Sequence, residues 1–230
     1  MQALFMAEAM KYQVLPLDDR VVERFNAAIV GRPDLMAGRT LLTVYQGMRG
    51  MTENVFINTK NASHSITAEL DVPKGGGKGV ILAQGGRFGG WSLYLKNGKP
   101  TYTYNWLGLK RYTISSPKVL PAGRATIRYE FAYDGGGFGK GGMGTIFVNG
   151  KKVAQGRIEN THGYSISVDE GADVGQDGET PVVEDYGVND PYNFNGKLIA
   201  VTIDIKKMEK AGPAEIEKIK HTSMKRALAE

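Results

Sequence analysis

Catalysis needs a nucleophile, an acid or base, or a bound metal, and the residues of this chain that supply such groups stand apart. His64, His162 and His221 have no H-E-x-x-H pattern and no acidic ligand at metal-site spacing beside them, so they read as ordinary polar surface histidines. Glu69 and Asp71 are two apart and share a strand face, a minimal carboxylate pair for glycoside hydrolysis. Lys74 occupies the place where sandwich glycanases carry a third carboxylate, and solvent-facing charge on a half-buried strand explains the pair more simply. Gly90-Trp91-Ser92 does not continue to the second glycine of a nucleophile elbow. A Ser-His-Asp triad stays open at this stage, since its members need only meet in space.

Binding motifs fare little better. Gly139, Gly141 and Gly144 fit G-x-G-x-x-G, but TIFVNG follows, a strand and turn where a dinucleotide site needs a helix N-terminus. A glycine loop between strands is the expectation. None of the Gly-Lys pairs precedes Ser or Thr, which excludes a P-loop. In the acidic stretch DEGADVGQDGETPVVEDY, Asp173 and Asp177 are the candidate ligands for a structural calcium ion; EF-hand spacing is absent, and a solvated acidic loop is the simpler reading. The segment QGGRFGGWSLY sets four glycines around Arg87 and Phe88. Arg87 with Trp91, Tyr104 and Trp106 forms a candidate sugar- or protein-contacting patch, against the alternative that these aromatics fill a core. Asn61-Ala62-Ser63 is an N-glycosylation sequon, relevant only in a secretory host.

The elements that must position these residues are mostly strands. HSITAELDV places Ile66, Ala68, Leu70 and Val72 on one face, and RATIRYEFAYD does the same with Ala125, Ile127, Tyr129, Phe131 and Tyr133. WSLYLKNGKPTYTYNW and GTIFVNGKKVAQGRI are hairpins turned by Asn97-Gly98 and Asn149-Gly150. FNGKLIAVTIDI supplies a closing strand with Leu198, Val201, Ile203 and Ile205. Ten to thirteen strands in 230 residues, 31 of them glycine, predict an all-β antiparallel sandwich over residues 39–205. Residues 1–38 read as a helix to about 13 followed by a wrapping linker, and 206–230 as a charged helix or tail after Gly212-Pro213.

Composition narrows the class further. There is no cysteine, so no disulfide or thiolate metal site forms and the redox compartment stays unknown. The net charge is +5, and residues 206–230 hold seven basic against four acidic side chains without one aromatic. That is a solvated helix face, and no nucleic-acid partner is expected. No apolar run approaches a membrane span, and the first residues carry Glu8 but no basic leader, so neither membrane nor signal peptide is expected.

Several long phrases resemble the C-terminal region of bacterial arylsulfatases: YQVLPLDDRVVERFN, SITAELDVPKGGGKGVILAQGGRFGGWSLYLKNGKPTYTYNWLGLKRYTI, PAGRATIRYEFAYDGGGFGKGGMGTIFVNGKKVAQGRIE and DEGADVGQDGETPVVEDY. The resemblance runs over roughly residues 1–205 and departs from Lys206 onward. It implies a linker that wraps a catalytic domain, then a jelly-roll-like sandwich similar to concanavalin A-like and laminin G-like domains, in a family found in cytoplasm, periplasm or secreted. The family's formylglycine motif C/S-x-P-x-R is missing: no cysteine exists, and Ser116-Pro117-Lys118 does not begin it. No catalytic residue and no cofactor carries over. The expectation is therefore a non-catalytic sandwich that packs on a sulfatase catalytic domain or, lacking one, self-associates; a lectin-like carbohydrate-binding module and a subunit acting in trans are the alternatives.

Overall fold

A computed structural model describes residues 1–15, 35, 36, 38–167, 170–186 and 192–206. The expected linker lies largely, and the C-terminal helix wholly, outside the described residues. The chain divides into two compact units, Met1–Asp34 and Leu35–Glu230. In the first, α1 spans Gln2–Lys11, close to the helix read from the sequence, and its Leu4, Phe5, Met6 and Met10 are exposed.

The described residues of the second unit hold eleven strands: β1 (Leu41–Val44), β2 (His64–Val72), β3 (Gly79–Gly86), β4 (Gly89–Lys96), β5 (Lys99–Trp106), β6 (Lys110–Ser115), β7 (Gly123–Tyr133), β8 (Gly142–Val148), β9 (Lys151–Ile158), β10 (Ala172–Val174) and β11 (Lys197–Ile205). They form a six-stranded sheet, β1-β11-β2-β7-β8-β9, and a five-stranded sheet, β10-β3-β4-β5-β6, every named pairing being antiparallel. This is a two-sheet antiparallel β-sandwich.

Period-two alternation explains the six-stranded sheet. In β2, Ile66, Ala68 and Leu70 are fully buried, while Glu69 is exposed and reaches Arg124 across the sheet at 4.0 Å. Glu69 thus serves the solvent side, and Asp71 two residues on is half-buried on the same face. Along β11 the inward phase changes from Leu198 to Val201, Ile203 and Ile205 because a bulge sits between Leu198 and Ala200.

The sheets are joined by aromatic stacking. Tyr102 of β5 lies parallel to Tyr129 of β7 with ring centroids 3.6 Å apart, and Trp91 of β4 stacks on Tyr102 at 6.2 Å. Leu93, Leu95, Ile127 and Ile146 surround that stack.

The five-stranded sheet differs in that β3, β4 and β5 are covered on both faces, while Thr113 and Ser115 of β6 stay exposed. Trp91, Leu93 and Leu95 point into the main core, while Tyr94, Val80 and Ala83 pack against Val182, Val183 and Tyr186 of a segment that crosses the outer side. Beneath this strap Ser92, Thr101, Thr103 and Asn105 are buried as well, their polar atoms matched across the strands: Thr101 with Ser115 at 2.9 Å, Thr103 with Thr113 at 3.0 Å.

Ile127 is fully buried, so Ile127→Ala is expected to lower the unfolding free energy by about 2–5 kcal/mol through lost burial and the cavity left behind. Val119→Ala, at a site 61% exposed, should stay within about 0.5 kcal/mol. Urea unfolding of the two variants checks the contrast.

Candidate functional site

The four residues expected to form one patch are separated by the sandwich wall. Trp91 is 1% exposed; its indole N–H donates to Gln84 Oε1 at 3.1 Å, and its ring packs on Phe56 and Tyr102. Tyr104 is also buried, its hydroxyl oxygen accepting the His162 backbone N–H at 2.8 Å and lying 2.9 Å from His162 Nδ1. Burial pushes its phenol well above the usual range. Only Arg87, exposed in the β3–β4 turn, and half-buried Trp106 at the end of β5 reach the surface. Trp91 and Tyr104 therefore belong to the core, because strand alternation turns both rings inward.

The two described histidines correct the expectation of surface placement; His221 lies outside the described residues. His64 is 5% exposed beside Tyr129 and Phe131, with Nδ1 3.1 Å from the Ala62 carbonyl oxygen. Burial lowers its pKa to about 4, only partly offset by that carbonyl. His162 is likewise lowered to about 4, first by burial. Among the described residues its Nε2 has no hydrogen-bond partner, and a Cβ placed on Gly89 would stand 2.5 Å from it, so backbone closes over the ring. Nearby Glu53 accepts Lys60 Nζ at 2.9 Å, the Ser165 hydroxyl at 3.2 Å and the Ile166 backbone N–H. A cavity of about 10 Å³, room for one water, lies among Thr59, Asn61, His64, Trp91, Tyr104 and Thr161.

Asn61 is the residue whose role the sequence concealed. It sits at φ +55°, donates from Nδ2 to the Gly163 carbonyl at 2.7 Å, and accepts the Gly139 N–H at 2.8 Å and the Tyr133 hydroxyl at 3.3 Å. The nitrogen that glycosylation would modify is thus engaged in fixing the glycine loop 134–141 to the loop around residue 163. On that fixed loop Phe138 lies parallel to Tyr164, with centroids 5.6 Å apart and 6° between planes, 37% and 48% exposed respectively.

The acidic stretch uses its oxygens on its own backbone. Asp173 accepts N–H groups of Gly50 at 2.7 Å and Gly178 at 3.0 Å. Asp177 accepts the Val182 N–H at 2.8 Å and the Tyr186 hydroxyl, and burial pushes its pKa up to about 7. Among the described residues no three His, Asp or Glu side chains converge as a metal ion requires. The candidate calcium ligands act instead as loop organisers, Asp173 on Gly50 and Gly178 and Asp177 on the strap.

At the far end of the five-stranded sheet two hairpin tips meet. Asn105 Nδ2 donates to the carbonyl oxygens of Gly86 (3.0 Å), Arg87 (2.9 Å) and Val182 (3.2 Å), and Asn105 Oδ1 accepts the Gly108 N–H at 2.9 Å. Phe88, Leu107 and Leu109 stand out from these tips, 68%, 50% and 76% exposed.

No known family model and no curated protein matches the sequence. Among solved structures, the CBM40 of the Ruminococcus gnavus IT-sialidase is similar at 14% identity and TM-score 0.48, over 74% of this chain and 92% of that one. A heptameric SAP-like pentraxin from Limulus polyphemus shares 14% identity at TM-score 0.40, over 74% and 79%. Domains LG4–5 of the mouse laminin α1 chain share 13% at TM-score 0.43, over 76% and 43%. These likenesses concern the general arrangement of strands. The class of the chain is the one its own sheets define, a two-sheet antiparallel β-sandwich.

The buried imidazoles make stability depend on acid. His64 favours the neutral ring in the fold, so its contribution is whole above pH 6.5 and is lost as pH falls from 6.5 to about 4, roughly 3 kcal/mol at 1.36 kcal/mol per unit. Asp177 has the opposite sign: its contribution is present below pH 3.8 and is lost as pH rises to about 7. Across pH 4–6.5, His64→Gln should flatten the acid-side fall in urea midpoint, and Asp177→Asn should steepen it. Unchanged profiles would contradict these assignments.

Proposed function

We propose that this chain is a non-catalytic binding module. The observation that carries the reading is how the interior polar groups are employed. Glu53, Asp173 and Asp177 accept backbone N–H groups, His162 is closed off by Gly89, and the cavity beside His64 has room for one water. A hydrolytic centre needs the reverse, a nucleophile and base facing a space that holds a substrate.

Two occupants are in question. A lectin-like carbohydrate-binding role is favoured by the exposed parallel pair Phe138 and Tyr164, which Asn61 and Tyr133 fix in place. Flat aromatic faces held rigidly in water suit the C–H faces of a sugar ring and lose little conformational entropy on binding. The accessory domain of an arylsulfatase, packing on a sulfatase catalytic domain, is supported by the resemblance over residues 1–205.

Pure chain incubated with 4-nitrophenyl sulfate should release no 4-nitrophenol above the buffer rate; turnover would overturn the non-catalytic reading. On a glycan array, signal that Phe138→Ser and Tyr164→Ser each reduce about tenfold or more is expected of the lectin-like role. An array without signal, or signal indifferent to both substitutions, excludes that pair as the sugar platform. Complex formation with an arylsulfatase catalytic domain on a gel-filtration column is the result that the accessory role requires.

A further inference from the structure

Among the described residues three β-turns between strands have both central residues at positive φ. Asn97-Gly98 (+51°, +74°) joins β4 to β5, and Asn149-Gly150 (+47°, +79°) joins β8 to β9. The third, between β5 and β6, is Leu107-Gly108 (+56°, +70°), closed by Leu109 N–H on the Trp106 carbonyl at 3.0 Å. Asparagine tolerates the left-handed region and is the favoured first residue of such turns; a branched aliphatic side chain is not. Leu107 is thus in a backbone conformation that resists it and holds its side chain 50% exposed, so neither local geometry nor folding benefits from its being leucine.

What leucine adds is apolar surface beside Phe88 and Leu109. The patch is rigid before anything binds it, because Asn105 ties the two tips together and a Cβ on Gly108 would stand 3.2 Å from the Arg87 carbonyl. Both signs of charge surround it. Arg87 is exposed and makes no ion pair among the described residues; Glu184, half exposed, is held by Arg111 at 2.6 Å, and Arg111 also reaches the Gly108 carbonyl at 3.4 Å. A patch that carries an exposed cation, Arg87, and a half-exposed carboxylate, Glu184, is self-complementary about a two-fold axis that sets each copy's cation against the other's carboxylate.

We propose that the paired tips carrying Phe88, Leu107 and Leu109 are an isologous interface at which a second copy of this chain docks, Arg87 of each copy facing Glu184 of the other. This goes beyond the binding role above and stands whichever occupant that role has. The interface is small, so association is weak and reversible.

Sedimentation velocity over a concentration series tests it. The full chain is expected to shift from monomer to dimer as concentration rises. Leu107→Asn should weaken dimerisation about tenfold or more while leaving the melting temperature of the monomer equal or higher, since asparagine is the residue the turn prefers. Leu109→Ser should weaken it similarly. Arg87→Glu should weaken it, and Arg87→Glu with Glu184→Arg should restore it, while Phe5→Ser in α1 leaves it unchanged. A chain that stays monomeric at every concentration overturns the proposal. So does a dimer indifferent to Leu107→Asn and Leu109→Ser, or one abolished by Phe5→Ser.

Discussion

The constraint on which the rest depends is that β3, β4 and β5 of the five-stranded sheet are sealed on both faces. Its inner side is closed by the Trp91–Tyr102–Tyr129 stack, and its outer side by the strap that brings Val182, Val183 and Tyr186 onto Tyr94. An open sandwich sheet is a broad surface on which a ligand can lie. Here that surface is occupied by the protein's own chain, and the hydroxyls beneath it are satisfied by their neighbours. The strap itself is tied through Asp177 to Val182 and Tyr186, and through the Val182 carbonyl to Asn105 at the hairpin tips.

With those strands covered, large side chains stay uncovered on the loops. The glycine loop, fixed by Asn61, holds Phe138 and Tyr164 in solvent, and the paired tips hold Phe88, Leu107 and Leu109 there. Both places combine a rigid backbone with large side chains left uncovered, which is how a surface becomes preorganised for association. The interior polar residues serve that rigidity: Glu53, Asp173 and Asn61 each spend side-chain bonding capacity on loop backbone.

Much of the fold was legible because alternation and turn chemistry are local. Asn97-Gly98 and Asn149-Gly150 marked their hairpins, and β2 and β7 declared their buried faces. What escaped depended on partners distant in sequence. Alternation in β4 separates Trp91 from Tyr94 but does not say that both faces are covered, so a surface patch with Trp91 and Tyr104 stayed open beside the core reading that the structure bears out. His64 and His162 looked like surface residues because burial of an imidazole leaves no spacing signal. Asn61 matched a glycosylation pattern, whereas its function here comes from Gly139 and Gly163, 78 and 102 residues further on. Leu107-Gly108 could have been noticed, since two turns of the same kind were already recognised, but leucine conceals the turn.

Hydrogen exchange at backbone amides tests the double seal most directly, because amides on a sheet covered on both sides open only with global unfolding. The account predicts that β3, β4 and β5 exchange as slowly as β2 and β7, with residues 182–186 protected alongside them. Fast exchange through 182–186, with β4 amides opening well below the global unfolding free energy, would contradict it and restore an open sheet face as the place where a ligand binds.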